Sequence, residues 1–182
     1  MLALFAATEE RHDMPAQSKH VLGVTSLWMI LPAYHGMGRL PALAAVLACV
    51  CAVSTTFWAN PVWGSAMHKA DKAVSWVFTM GMLWHTQREF LTLTPFIVFL
   101  FLLSDAFFRR EWHVLQLAAH LGFRYVFYAW SHMVLWGDVG ALARMTIGYV
   151  AHVAFVYFAV DYRFYWLSAL ASAISIVVLG LE

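Results

Sequence analysis

The stretch STTFWANPVWGSAMHKADKAVSW, residues 54–76, sets a serine, a histidine and an aspartate between two apolar segments. His68 and Asp71 stand three apart, a spacing that puts both side chains on one helical face, and Ser75 shares that face four residues after Asp71. Histidine and aspartate together are ligands for zinc or another divalent ion. A His-Asp pair aimed into the fold is therefore one reading of this stretch. The other is a capped helix start. Asn60-Pro61 ends the preceding helix, because the residue before proline is driven out of the helical region, and Ser65 is then the N-cap of a new helix.

A second set of chemically able residues follows in EWHVLQLAAHLGFRYVFYAWSHMVLWGD. His113, Gln116, His120, Arg124 and Ser131 are spaced by 3, 4, 4 and 7, which makes one helical stripe facing protein or water. The stripe reads either as a hydrogen-bond seam between helices, with Arg124 paired to an acid or to helix-end carbonyls, or as the wall of a polar cavity. The next segment adds Arg144 and His152, eight apart, with Asp161 beyond them. The candidate lining is thus His120, Arg124, Arg144, His152 and Asp161.

The elements that must position these residues are apolar. Of 182 residues 63% are hydrophobic and 12% charged, with a mean hydropathy of +0.71, far from the roughly 25% charged residues of a soluble domain. An all-α integral membrane protein follows: a polar tail over 1–19 and one transmembrane domain over 20–182. Seven apolar segments fit, at about 21–37, 41–59, 73–86, 89–108, 112–136, 140–160 and 163–181. Six is the next count. The third segment is short, and spans only by starting inside the HKADK turn.

Basic residues gather in short cytoplasmic loops. If all seven segments cross, Arg11, Lys19, Lys69, Lys72, Arg109, Arg110 and Arg163 share the N-terminal side, against Arg39 and Arg88 opposite. This places the N-terminus in the cytoplasm. The cytoplasmic helix ends then collect Asn60, Ser65, His68, Asp71, Asp105, His113 and Asp161, from which His68, Asp71 and His113 are the candidate metal ligands and zinc the candidate cofactor. A formal net charge of +1 argues against nucleic acid, which leaves membrane lipids and packing subunits as partners. Cys49 and Cys51 point to different faces of one helix and are poorly placed to bridge each other.

A serine near the end of the second span and an aspartate at the entry to the third resemble the seven-span membrane hydrolases: alkaline ceramidases, progestin and adiponectin receptors, hemolysin III and Per1-like proteins. Ser54 matches the serine and Asp71 in HKADKAV the aspartate, over about 30 residues. The resemblance implies zinc-dependent hydrolysis of a lipid amide or ester. Metal-bound water attacks, Asp71 takes its proton or holds the metal, and Ser54 steadies the oxyanion. The chain departs from the pattern at Trp58, where the family has a histidine, and in its last segment, which has no histidine pair. Two other functions stay open: a non-catalytic bundle, as structural subunit or lipid or protein binder, and a small transporter or proton conductor using the Arg124, Arg144 and His152 set.

Overall fold

A computed structural model describes residues 10–11, 14–86 and 93–181. Arg88 and the beginning of the fourth apolar segment lie outside the described residues. The architecture is all-helical: α1 (Ala16–Thr25), a 3-10 turn (Ser26–Met29), α2 (Ile30–Gly36), α3 (Pro41–Ala59), α4 (Ala66–His85), α5 (Leu93–Arg109), α6 (His113–Leu135), α7 (Val139–Ala159) and α8 (Tyr165–Leu181). A second 3-10 turn, Tyr162–Phe164, leads into α8. The β-structure among the described residues is one antiparallel pairing of two residues each, β1 (Glu10–Arg11) with β2 (Val62–Trp63).

Because α1, the 3-10 turn and α2 follow without a gap, the helices form seven rods, and each falls on one of the seven apolar segments of the sequence. Two of them, α3 at 19 residues and α7 at 21, are long and apolar enough to cross a membrane. α4 begins at Ala66, two residues before HKADK, which lengthens the segment that looked short. The helix of the first rod begins at Ala16, within the stretch that reads as a polar tail.

The first rod is the axis of the bundle, in contact with α3, α6, α7 and α8. Val21, Leu22, Val24, Trp28 and Leu31 on it are fully enclosed, as expected of a helix surrounded by other helices. Its break has a sequence cause. Pro32 has no N–H to bond the carbonyl of Trp28 and its ring crowds that carbonyl, while Thr25 and Ser26 bond back to Val21 O and Leu22 O at 2.7 and 3.1 Å, a habit that bends helices. The backbone N–H of Ser26 consequently bonds to Gly23 O, three residues back. Leu22 O loses the donor that a continuous α-helix would have supplied.

Close approach around this axis depends on small residues. A Cβ on Gly23 would lie 1.9 Å from the Tyr165 hydroxyl and one on Gly180 2.1 Å from Leu31. Glycine is what lets α8 reach the first rod, a device common between helices in lipid. The outer faces of α7 and α8 are apolar and exposed, with Ile147, Phe155 and Phe158 on one and Leu167 and Leu170 on the other.

Candidate functional site

Arg124 on α6 is 3% exposed and lies where the broken first rod faces α3. Its guanidinium donates to Leu22 O and Ser26 Oγ, to Thr25 Oγ1 at 3.3 Å and to Ser54 Oγ at 3.1 Å. It also stands 5.6 Å from the centre of the Trp58 ring. Asp71 on α4 lies near Ser54, and its carboxylate faces the positive charge of Arg124. The two candidate catalytic residues, Ser54 and Asp71, are thus together, and the cation between their helices and the first rod is the protein's own.

This arrangement satisfies the groups that need it. Leu22 O accepts from Arg124, Thr25 and Ser26 in place of its lost backbone donor, and a guanidinium, with five N–H groups in a fixed fork, suits several acceptors at once. Asp71 Oδ1 remains buried without a hydrogen-bond partner. Ser54, Thr25, Ser26 and Leu22 are all buried, while Asp71 is half-buried.

His68, in the first turn of α4, has its ring tied back to the turn before that helix. Gly64 adopts φ +77, a conformation open to glycine, and from there its N–H donates to His68 Nδ1 at 2.9 Å. The ring stacks on Phe57 and Trp63 with centroids 5.3 and 4.1 Å away. Ser65 caps the helix by accepting from His68 N at 3.2 Å, which is the capped helix start read from the sequence. His113 is the first residue of α6, and its Nδ1 is buried without a partner. Among the described residues no three His, Cys, Asp or Glu side chains are grouped so that they could share a metal ion. His68, Asp71 and His113 therefore do not form a ligand set.

The remaining candidates separate. His120 joins α6 to α5 through Ser104 Oγ at 3.1 Å and meets the edge of Trp58. His152 accepts from Trp28 Nε1 at 2.7 Å and bonds Ser172 Oγ at 2.8 Å, tying α7 to the first rod and to α8. Arg144 and Asp161, expected to line the interior, are exposed instead. Arg144 lies at the far end beside Asp138, because a residue eight before His152 still drifts around the helix by part of a turn. Asp161 caps the 3-10 turn before α8 and pairs with Arg163 at 2.6 Å, and those hydrogen bonds hold its carboxyl below the usual range.

Other histidines also tie helices together. His20 bonds Ser168 and His35 bonds Gly180 O at 3.2 Å, both joining the first rod to α8. The sequence reading missed this use, and also missed Pro32 with Thr25-Ser26, the signal for the break that Arg124 fills. Comparison with family models, with curated proteins and with solved structures finds no match.

Proposed function

We propose that the chain is a multi-pass integral membrane protein of seven spans, cytoplasmic at its N-terminus, which works as a non-catalytic bundle engaging lipid or protein through its outer apolar faces. One observation carries the non-catalytic part. The guanidinium of Arg124 donates to Ser54, and its charge acts on the nearby Asp71. A buried positive charge there repels a divalent ion from the residues that would have to hold it. Trp58, packed on that guanidinium, fills the position where the resemblance calls for an imidazole.

The membrane reading rests on composition and on α7. This helix has a mean hydropathy of 1.5, yet only 22% of its apolar window is buried in the bundle. A soluble core helix would bury such a surface, whereas lipid accepts it. A conductor built on Arg124, Arg144 and His152 is not favoured, since Arg144 is exposed while His152 is engaged by Trp28 and Ser172.

The test is metal analysis with a lipid-hydrolysis assay on the purified chain. The expected result is less than a stoichiometric amount of zinc, and an unfolding midpoint unchanged by a chelator. One zinc per chain, lost in Asp71→Ala together with ceramide or ester hydrolysis, would replace this reading with the hydrolase.

A further inference from the structure

Between α5 and α6 the chain turns on a fixed aromatic platform. Glu111 adopts φ +59, the left-handed conformation with which helices commonly end, although glycine usually holds that place. The Trp112 N–H thereby returns to Phe107 O at 3.0 Å, and the two rings pack with centroids 5.8 Å apart. Over the Trp112 ring lies the guanidinium of Arg110, 5.5 Å from its centre.

Arg110 is exposed, and among the described residues the Trp112 ring is the partner of its side chain. Arg124 and Arg163, by contrast, commit their N–H groups to the first rod and to Asp161. A guanidinium held over a ring keeps its fork of N–H groups for an acceptor from outside, and phosphate matches that fork with two parallel hydrogen bonds. The surface around it is apolar: Trp112 and Leu115 are each 48% exposed and Val114 77%. Exposed tryptophan and aliphatic side chains beside a basic residue suit the level where acyl chains end and phosphates begin. With seven spans the turn lies on the cytoplasmic side, whose leaflet carries anionic lipid. Dissolved phosphate would gain nothing from the apolar rim, which favours a lipid as its carrier.

We propose that the turn between α5 and α6 binds the phosphate of an anionic phospholipid. Arg110 donates to the phosphate oxygens, Trp112 holds the guanidinium in place, and the upper chain segments of the lipid lie against Val114 and Leu115. The site rests on the membrane reading above and adds a headgroup chemistry to it.

The experiment is thermal unfolding of the full chain in detergent micelles doped with dioleoyl phosphatidic acid. It is run against dioleoylglycerol, which has the same chains and no phosphate, and against sodium phosphate without lipid. At about ten times its dissociation constant, phosphatidic acid is expected to raise the midpoint by about 3 °C; the other two are expected to give no rise. Arg110→Gln, a change at an exposed position, abolishes the rise. Arg110→Lys keeps the charge but not the planar fork and gives a smaller rise. Glu111→Gly removes the acid and the left-handed strain, keeps the platform and retains the rise in full. An equal rise with dioleoylglycerol would reduce the site to apolar contact, a rise with sodium phosphate would make it a solution anion site, and a rise that survives Arg110→Gln would belong to other basic residues. Each of these overturns the proposal, as does no rise with phosphatidic acid. Alkaline carbonate washing of membranes from the expressing cells reads the membrane assignment separately. A retained chain with no phosphatidic acid effect sinks this site alone, whereas a chain released to the supernatant sinks the membrane reading and the site with it.

Discussion

The guanidinium of Arg124 donates to the carbonyl oxygen of Leu22 where the first rod tightens from α to 3-10. A residue 102 positions away in sequence thereby supplies the hydrogen bond that the local backbone gave up. Removing it takes one of three donors from Leu22 O, takes a donor from the Thr25, Ser26 and Ser54 hydroxyls, and removes the buried positive charge that Asp71 faces. Arg124→Leu is expected to cost about 3–5 kcal/mol, the range for breaking one side of a buried charged pair. If Arg124 and Asp71 are coupled, Arg124→Leu is milder in an Asp71→Asn background, with an interaction energy of about 1–3 kcal/mol in a double-mutant cycle followed by denaturant unfolding in detergent. Strict additivity would show that the two charges are independent.

Gly23 makes a different demand on the same rod. A Cβ there meets Tyr165, whose hydroxyl is already committed to Thr55 O. Since the ring is buried and anchored, it cannot swing aside, and Gly23→Ala is expected to destabilise by about 1–3 kcal/mol, the usual range for overpacking. Gly38, with open space around its missing Cβ, is the control: Gly38→Ala should stay within about 0.5 kcal/mol. Equal effects at the two sites would mean that α8 does not lie against Gly23.

Much of the frame was legible in the sequence for local reasons. Apolar runs give the rods, Asn60-Pro61 ends α3, and Ser65 caps α4, because each is decided by a few neighbouring residues. The inward stripe of Gln116, Arg124 and Ser131 was legible from helical spacing alone, and all three are buried. What was not legible is which acceptors the stripe meets. The tie from Arg124 to Leu22 depends on a break caused by Pro32 and by the Thr25-Ser26 pair, and its meaning appears only when α6 is laid against the first rod. The histidines misled for the same reason: an imidazole that, like His68, accepts from the backbone of its own turn has the same sequence signature as one that binds zinc.

The loop between α6 and α7 carries a pH-dependent contact. Asp138 caps α7 by accepting from Ala141 N at 2.9 Å, and this backbone hydrogen bond, with Arg144 nearby, lowers the carboxyl below its usual range. A group whose folded pKa is depressed adds stability above its unfolded pKa and loses it as pH falls through the folded one. The wild-type midpoint should therefore drop on acidification below the ordinary carboxylate range. Asp138→Asn, which keeps the capping oxygen but cannot titrate, should flatten that step. A step of unchanged size in Asp138→Asn would assign it to other acids.

Seven spans and two spans make opposite statements about the same loops, which makes the topology directly measurable. With Cys49 and Cys51 first replaced by alanine, single cysteines are introduced as Gly38→Cys, Asn60→Cys, Val139→Cys and Phe164→Cys, all at exposed positions next to helix ends. If every rod crosses, Gly38 and Val139 face the outside, while Asn60 and Phe164 face the cytoplasm. If only α3 and α7 cross, Gly38 and Phe164 share one side, with Asn60 and Val139 on the other. Labelling intact cells with a membrane-impermeant maleimide is expected to modify positions 38 and 139 and to reach 60 and 164 only after permeabilisation. Labelling of 38 together with 164, or of 60 together with 139, would overturn the seven-span arrangement. The charge asymmetry should follow the same division, since Lys69 and Lys72 follow Asn60 and Arg163 precedes Phe164.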